Sequence, residues 1–267
     1  MAQHRGMGVR RFGTVNWLGL RTLYAREVRR FAIVWSQTVL APVATSILFL
    51  LVFTLAFGAR PGQESGVSFE HFLAPGILMM AVIQNAFANT SSSMIVAKVQ
   101  GNIVDTLMPP LSAVELLAGY VLGGVTRGVV CALAIGLPVF PAIGLGLAHW
   151  GWALVFCLGG ALMMALFGLL AAIYADKFDH LSLITNFVVT PLSFLSGTFY
   201  SIDILPEPFW TLSHLNPFFY LIDGFRFAAL GESDTAPWIG CLVMIAINVA
   251  LGFVAWRWLD RGYWLKA

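Results

Sequence analysis

TPLSFLSGTFYSIDILPEPFWTLSHLNPFFYLIDGFR, from Thr190 to Arg226, decides how this chain is read. It is too hydrophobic for a soluble loop and too interrupted for one clean membrane span. Pro191, Pro206, Pro208 and Pro217 break the backbone hydrogen-bond ladder. At membrane depth such breaks are tolerated only where protein or water satisfies the freed groups. Asn216 followed by Pro217 reads as a helix N-cap with a first-turn proline. The pattern predicts a span ending near Tyr200, a short amphipathic helix over Pro206 to Leu215, and a second short helix from Pro217 to about Leu230. Both short helices are expected to dip into one leaflet.

The rest of the chain has matching composition. Its 267 residues are 59% hydrophobic and 10% charged, where a soluble domain carries roughly 25% charged residues. This is the composition of a polytopic membrane protein, and no charged stretch is long enough to form a separate soluble domain. The expected fold class is an all-α integral membrane protein forming one domain over residues 1–267. Residues 1–32 form a cytoplasmic segment, 33–259 a six-span bundle, and 260–267 a cytoplasmic tail. Cys131, Cys157 and Cys241 lie in apolar runs and read as packing residues rather than disulfide or metal partners. The basic N-terminus lacks the short apolar core and small-residue cleavage site of a signal peptide, so it is expected to persist in the mature protein.

A bilayer core of about 30 Å needs about 20 apolar helical residues. The segments that qualify run approximately over 33–57, 72–96, 114–140, 152–175, 183–200 and 238–259. Arg5, Arg10, Arg11, Arg21, Arg26, Arg29 and Arg30 place the N-terminus in the cytoplasm, with Lys98, Lys177, Arg257, Arg261 and Lys266 on the same side. The opposite side holds Arg60 and Arg226 among the acids Glu64, Glu70, Asp203, Glu207, Asp223, Glu232 and Asp234. Both termini are therefore expected to be cytoplasmic.

Between Asn16 and Phe31, the residues Trp17, Leu20, Tyr24, Val28 and Phe31 recur at helical steps, with Arg26, Arg29 and Arg30 largely off that stripe. This predicts an interfacial amphipathic helix, serving as a headgroup anchor, a docking ledge for a cytoplasmic partner, or both. The inner loop from Lys98 to Tyr120 is either a stiff linker or a short surface helix. Asn102, Asp105 and Thr106 would supply its polar contacts, and Ile103, Val104, Leu107 and Met108 its apolar face. Pro109 and Pro110 would stop it.

No energy source is visible in the chain itself. A Walker A loop needs Gly immediately before its Lys, whereas Lys98, Lys177 and Lys266 follow Ala97, Asp176 and Leu265. Zinc-helix, nucleophile-elbow and metal-spacing patterns are missing from the sequence as well. The chain is thus expected to be no enzyme and to bind no cofactor or metal.

Arg127 is the one basic residue well inside a predicted span, and it admits three readings: snorkelling, a structural pair, or contact with substrate. Gly119, Gly123, Gly124 and Gly128 on the same helix give two overlapping GxxxG spacings, read as intramolecular packing more than as a dimer seam. Aromatic residues crowd the outer region. Most belong to interface belt and packing, and Phe199, Tyr200, Phe218 and Tyr220, with Arg226, are candidates for a path or outer gate. Asp203, Glu207 and Asp223 read as solvated or capping acids.

These residues resemble the permease subunit of the ABC-2 type exporters, and within that family its YadH-like branch. The resemblance rests on the basic N-terminal helix, FLAPGILMM at 72–80, NIVDTLMPPLSAVELLAGYVLGG at 102–124, and TPLSFLSGTFYSIDILPEPFW followed by LNPFFYLIDGFR. It implies two six-span subunits paired with two ABC ATP-binding subunits that carry the ATP and Mg, with no role for nucleic acid. The coupling helix seated in the ATPase would be Gln100, Gly101, Asn102, Ile103, Val104, Asp105, Thr106, Leu107 and Met108, supported by the N-terminal helix through Arg26, Arg29 and Arg30. The outer helices from Pro206 to Leu230 would help close the path at the dimer interface. The substrate stays open among glycans, lipid-linked molecules and hydrophobic small molecules. The alternative is a secondary transporter driven by an ion gradient, which would usually show internal repeats and midplane carboxylates. Here Glu115 sits at an inner end and Asp260 beyond the last span.

Overall fold

The computed structural model describes residues 15–57 and 68–263, so Arg5, Arg10, Arg11, Arg60, Glu64 and Lys266 lie outside it. Among the described residues every regular element is helical. The elements are α1 (Trp17–Ile33), α2 (Ala41–Phe57) entered through a π-turn at Ser36–Leu40, α3 (Phe69–Val99), α4 (Ile103–Leu107), α5 (Ala113–Ala142) and α6 (Trp150–Tyr174). They continue as α7 (Phe178–Ile184), a second π-turn at Thr185–Val189, α8 (Thr190–Phe194), a short 3-10 turn at Ile202–Ile204, α9 (Phe209–Leu215), α10 (Pro217–Leu230) and α11 (Pro237–Asp260).

Among the described residues, five helices are long and apolar enough to cross a membrane: Ser36–Ala56, Phe69–Val99, Ala113–Ala142, Trp150–Tyr174 and Pro237–Asp260. The expected fifth crossing at 183–200 is not a sixth such helix. α7, the π-turn and α8 run on from one another over residues 178–194, about 25 Å at 1.5 Å per residue, against a core of about 30 Å. The helix ends at Phe194 rather than near Tyr200, because Leu195 leaves helical geometry with ψ 1° and Gly197 turns the chain with φ +72°. The loop then runs against α3. A Cβ at Gly76 would lie 2.7 Å from the Thr198 carbonyl oxygen, which explains why the FLAPG segment carries glycine there.

α3 is the central helix and packs along α5, α6 and α10, while α11 lies against α6 and α10. Membrane helices gain little from burying apolar surface that lipid would cover equally well, so association depends on close approach of backbones. Gly124 and Gly128 meet that need toward α3 and α6: Cβ atoms there would lie 2.8 Å from Ala165 and Thr90, and 3.1 Å from Ala161. The overlapping pair faces α1. A Cβ on Gly119 would lie 2.4 Å from Leu23, and one on Gly123 would lie 2.5 Å from Glu27. Both glycine spacings are therefore intramolecular seats.

α1 accordingly lies along the first half of α5. Its deepest residues are Leu23, Glu27 and Phe31, while Trp17 is 72% exposed. The anticipated apolar stripe is displaced because α1 follows the glycine face of α5. Basic α1, Lys98 and Lys177 collect at the α4 end of the bundle, and Glu70, Glu207, Asp223 and Glu232 at the α9–α10 end.

Gly123→Leu is expected to displace α1 and to cost about 1–3 kcal/mol, the usual range for overpacking. Thermal unfolding in detergent will show it against Gly146→Ala, where nothing lies within 4 Å of the new methyl.

Candidate functional site

Asn16 caps α1 by accepting the Gly19 N–H at 3.0 Å, and its own N–H donates to Glu115 Oε1. Glu115 is also the acidic member of a capping box with Ser112 at the start of α5; its Oε2 accepts the Ser112 N–H at 2.7 Å. One carboxylate therefore joins the beginnings of α1 and α5.

Three turns further along α1 lies Glu27, which is wholly buried. Its Oε1 accepts from Arg26 Nη2 at 3.1 Å and from Ser93 Oγ at 2.8 Å, and its Oε2 lies 3.5 Å from Arg30 Nε. Arg26 spreads across three helices, donating to Thr106 Oγ1 in α4 at 3.0 Å and to the Tyr120 hydroxyl in α5 at 3.1 Å. Burial works against its charge, but Tyr120 and Glu27 beside it raise the pKa above the ordinary guanidinium value. Arg30 turns toward α3, donating to the Asn89 carbonyl at 2.6 Å and to Ser92 Oγ at 3.0 Å. Arg29 is exposed and makes no hydrogen bond or ion pair among the described residues. It lines, with Arg21, Arg26, Arg30, Gln100 and Asp105, a cleft of about 950 Å³ between α1 and the α3–α4 corner.

Glu27 was not among the residues singled out from sequence. Two signals pointed to it: the i,i+3 spacing to Arg30, and its four-residue steps from Leu23 and to Phe31.

α4 is a single short helix over Ile103–Leu107, with Gln100, Gly101 and Asn102 exposed in the turn before it. Its apolar residues do not share one face. Ile103 is 2% exposed and belongs to the buried cluster that also holds Leu23, Met94 and Tyr120, whereas Val104 is 53% and Met108 76% exposed. Thr106 is held by Arg26 and Asp105 points outward. The outward surface is thus Val104, Asp105 and Met108. Nearby, Lys98 closes the end of α6 by donating to the carbonyls of Ile173 at 2.8 Å and Ala175 at 2.6 Å.

The candidate path residues at the other end separate into two groups. Phe199 stacks on Phe53 with centroids 4.8 Å apart and meets Phe49 and Phe194; the Tyr200 hydroxyl donates to the Phe194 carbonyl at 3.3 Å. Phe218 and Arg226 are instead buried within this chain, and Tyr220 is half-buried. Arg226 donates to the Gly197 carbonyl at 2.7 Å and lies 3.8 Å from the Phe72 ring centroid. Asp223 is a buried capping acid that accepts the N–H groups of Asp234 and Thr235, each at 2.9 Å. Asn216 does cap α10 through the Phe218 N–H at 3.0 Å.

Arg127 has a structural partner: its Nη2 donates to Asn85 Oδ1 of α3 at 2.9 Å.

Glu27→Ala leaves Arg26 and Arg30 without their shared acid. Since both guanidinium groups are partly exposed, the expected loss is about 1–3 kcal/mol rather than the larger cost of a fully enclosed pair. Thermal melting in detergent, with Glu27→Gln falling between wild type and alanine, checks this.

Residues 19–230 match the model of the family described as ABC-2 type transporter. The chain is 38% identical over 252 residues to the inner membrane transport permease YadH of Escherichia coli K12, covering 94% of this chain and 98% of that protein. It is 26% identical over 230 residues to nodulation protein J of Rhizobium leguminosarum bv. viciae, covering 82% of this chain and 84% of that protein. With a family match across most of its length and a relative this similar from end to end, the chain belongs to the ABC-2 type transporter family.

Proposed function

We propose that this chain is the transmembrane permease subunit of an ATP-driven exporter in a bacterial inner membrane, paired with a second copy and with two ATP-binding subunits. The observation that carries this reading is α4: in a member of this transporter family, a short helix is clamped by Arg26 through Thr106 while Val104, Asp105 and Met108 face outward. That surface is the seat for the ATPase, and α1 braces it. Closure of the ATPase around ATP and Mg pushes on α4, and the Arg26, Glu27 and Arg30 contacts pass the displacement to α5 and α3.

The concentration of Arg and Lys at the α4 end supports a cytoplasmic location for both termini. The helix over residues 178–194 serves as the remaining crossing, its shortfall absorbed by local thinning of the bilayer and by α9 and α10 folding beside it. α2 exposes Leu48, Leu51 and Leu55, and part of that apolar surface meets the second copy. The cargo is a glycan, a lipid-linked molecule or a hydrophobic small molecule. Phe199 and Tyr200, at the corner between α2 and α8, border its outer exit.

Co-purification of tagged permease in mild detergent is expected to bring down an ABC ATPase in equal subunit ratio. Val104→Asp combined with Met108→Asp should lower recovery of the ATPase at least about tenfold, the loss expected when a central apolar contact is replaced by charge, while leaving permease yield and melting unchanged. Ile103→Asp should instead destabilise the permease, because that side chain is buried. Full ATPase recovery with the outward double variant would remove α4 as its seat.

A further inference from the structure

The cleft between α1 and the α3–α4 corner carries positive charge that the contacts within the chain leave unused. Arg21, Arg26, Arg29 and Arg30 all line it, and among the described residues Asp105 is the one carboxylate in its wall. Glu27, which does not line it, is shared by Arg26 and Arg30. Two acids therefore stand against four guanidinium groups. Arg21 and Arg29 are exposed and have no hydrogen bond or ion pair among the described residues. Arg26 and Arg30 are anchored by their contacts, yet 46% and 35% of their side-chain surface stays accessible.

The cleft also has a depth. α1 runs antiparallel to α3, so the cleft climbs from Leu18 and Asn102 to Ile33 and Ser93. Its Arg30 end meets α3 at Asn89 and Ser92, about 10–15 Å along the axis from the end of that helix at Val99. With 31 residues, α3 is about 46 Å long, close to the thickness of a bilayer with its headgroups. The Arg30 end therefore lies where headgroups give way to acyl chains, and arginines there extend to the phosphate level. Ile33, Val34 and Trp35 continue from it as exposed apolar surface into the π-turn before α2. A protein seated on α4 reaches the Asp105 end of the cleft but not this one.

We infer that this cleft binds one anionic membrane phospholipid. Its phosphate sits at Arg26, Arg29 and Arg30, the outer part of its headgroup faces Arg21, and its acyl chains leave past Ile33 and Trp35. Guanidinium groups hold phosphate oxygens through paired, charge-assisted hydrogen bonds, and the anionic surface of the membrane concentrates such lipids near basic segments. A zwitterionic headgroup brings its own cation into a cleft already rich in them. The sequence left α1 as a headgroup anchor or a docking ledge; the cleft makes the anchor a defined site on one side of that helix. The site requires neither an ATPase nor a given cargo, so it goes beyond the transporter reading.

The test is lipid binding to the full-length permease in dodecyl maltoside, with copurifying subunits retained, measured by native mass spectrometry. Dioleoyl phosphatidylglycerol is the probe, compared with dioleoyl phosphatidylcholine and with glycerol phosphate, which has a phosphate but no acyl chains. The first phosphatidylglycerol is expected to bind about tenfold tighter than phosphatidylcholine, the scale of one charge-assisted hydrogen bond. Arg21→Gln with Arg29→Gln should remove most of that preference without altering melting, since neither side chain has a partner within the described residues. Lysine at both positions should keep most of it. Arg257→Gln with Arg261→Gln removes the same charge from exposed positions of α11 at the α4 end, outside the cleft, and should leave the preference intact.

Equal binding of the two lipids, or an undiminished preference in the Arg21 and Arg29 double variant, overturns the inference. An equal loss in the Arg257 and Arg261 variant also overturns it, because diffuse charge then accounts for the preference. Displacement by glycerol phosphate at equal concentration identifies a soluble phosphate as sufficient and overturns the lipid assignment. Loss of a copurifying ATPase from the Arg21 and Arg29 variant, with its lipid preference intact, gives the cleft to a protein partner and overturns it likewise.

Discussion

The structure depends on how closely other helices can approach α5. Lipid competes for every apolar side chain, so packing inside the bilayer is decided by backbone distance and shape more than by hydrophobicity. Gly124 and Gly128 admit α3 and α6 on one side, and Gly119 and Gly123 admit α1 on the other. The second contact places a polar helix against a membrane helix, which in turn sets where Arg26 meets Thr106 and where Glu27 is buried. The geometry of α4 is thus inherited from glycines in another helix.

Charge is handled differently along the length of the molecule. At the α4 end, Glu27 is shared by Arg26 and Arg30, Glu115 ties two helix starts together, and Lys98 caps α6. At the α9–α10 end, Asp223 gathers the turn into α11 and Arg226 is held by a carbonyl and an aromatic ring. These contacts tie several helices together at each end, although Glu27 Oε2, Arg30 Nε and Arg226 Nε are buried without a hydrogen-bond partner among the described residues. Midway, Arg127 has one amide partner and no acid among the described residues.

The loosest elements also share a local feature. α2 begins in a π-turn, and the helix over residues 178–194 contains the other. Both present much exposed apolar surface, including Leu48, Leu55, Leu183 and Phe187. Around the tight α3–α5–α6 core, these long elements are lightly restrained within the chain, and motion in them disturbs few contacts.

Long apolar helices were legible from sequence because a backbone in lipid must satisfy its own polar groups, so hydropathy and helical structure coincide. The spans at 72–96, 114–140 and 238–259 each lie inside an observed helix, that at 152–175 overruns its helix by one residue, and Asn216 with Pro217 marked the start of α10, since capping is local chemistry. Other features depended on neighbours remote in sequence. Leu195 and Gly197 end α8 early as the chain turns across Gly76 of α3. Ile103 turns inward to join a buried cluster that draws Leu23 from α1 and Tyr120 from α5, and Glu27 is buried because Gly123 leaves room. The pairing of Arg127 with Asn85 was equally hidden, since nothing in either helix alone says which face meets the other. The sequence by itself determined a helical membrane protein and where most of its helices run; tertiary structure decided which side chains face one another, because in lipid that choice depends on close helix contact rather than on hydrophobic pattern.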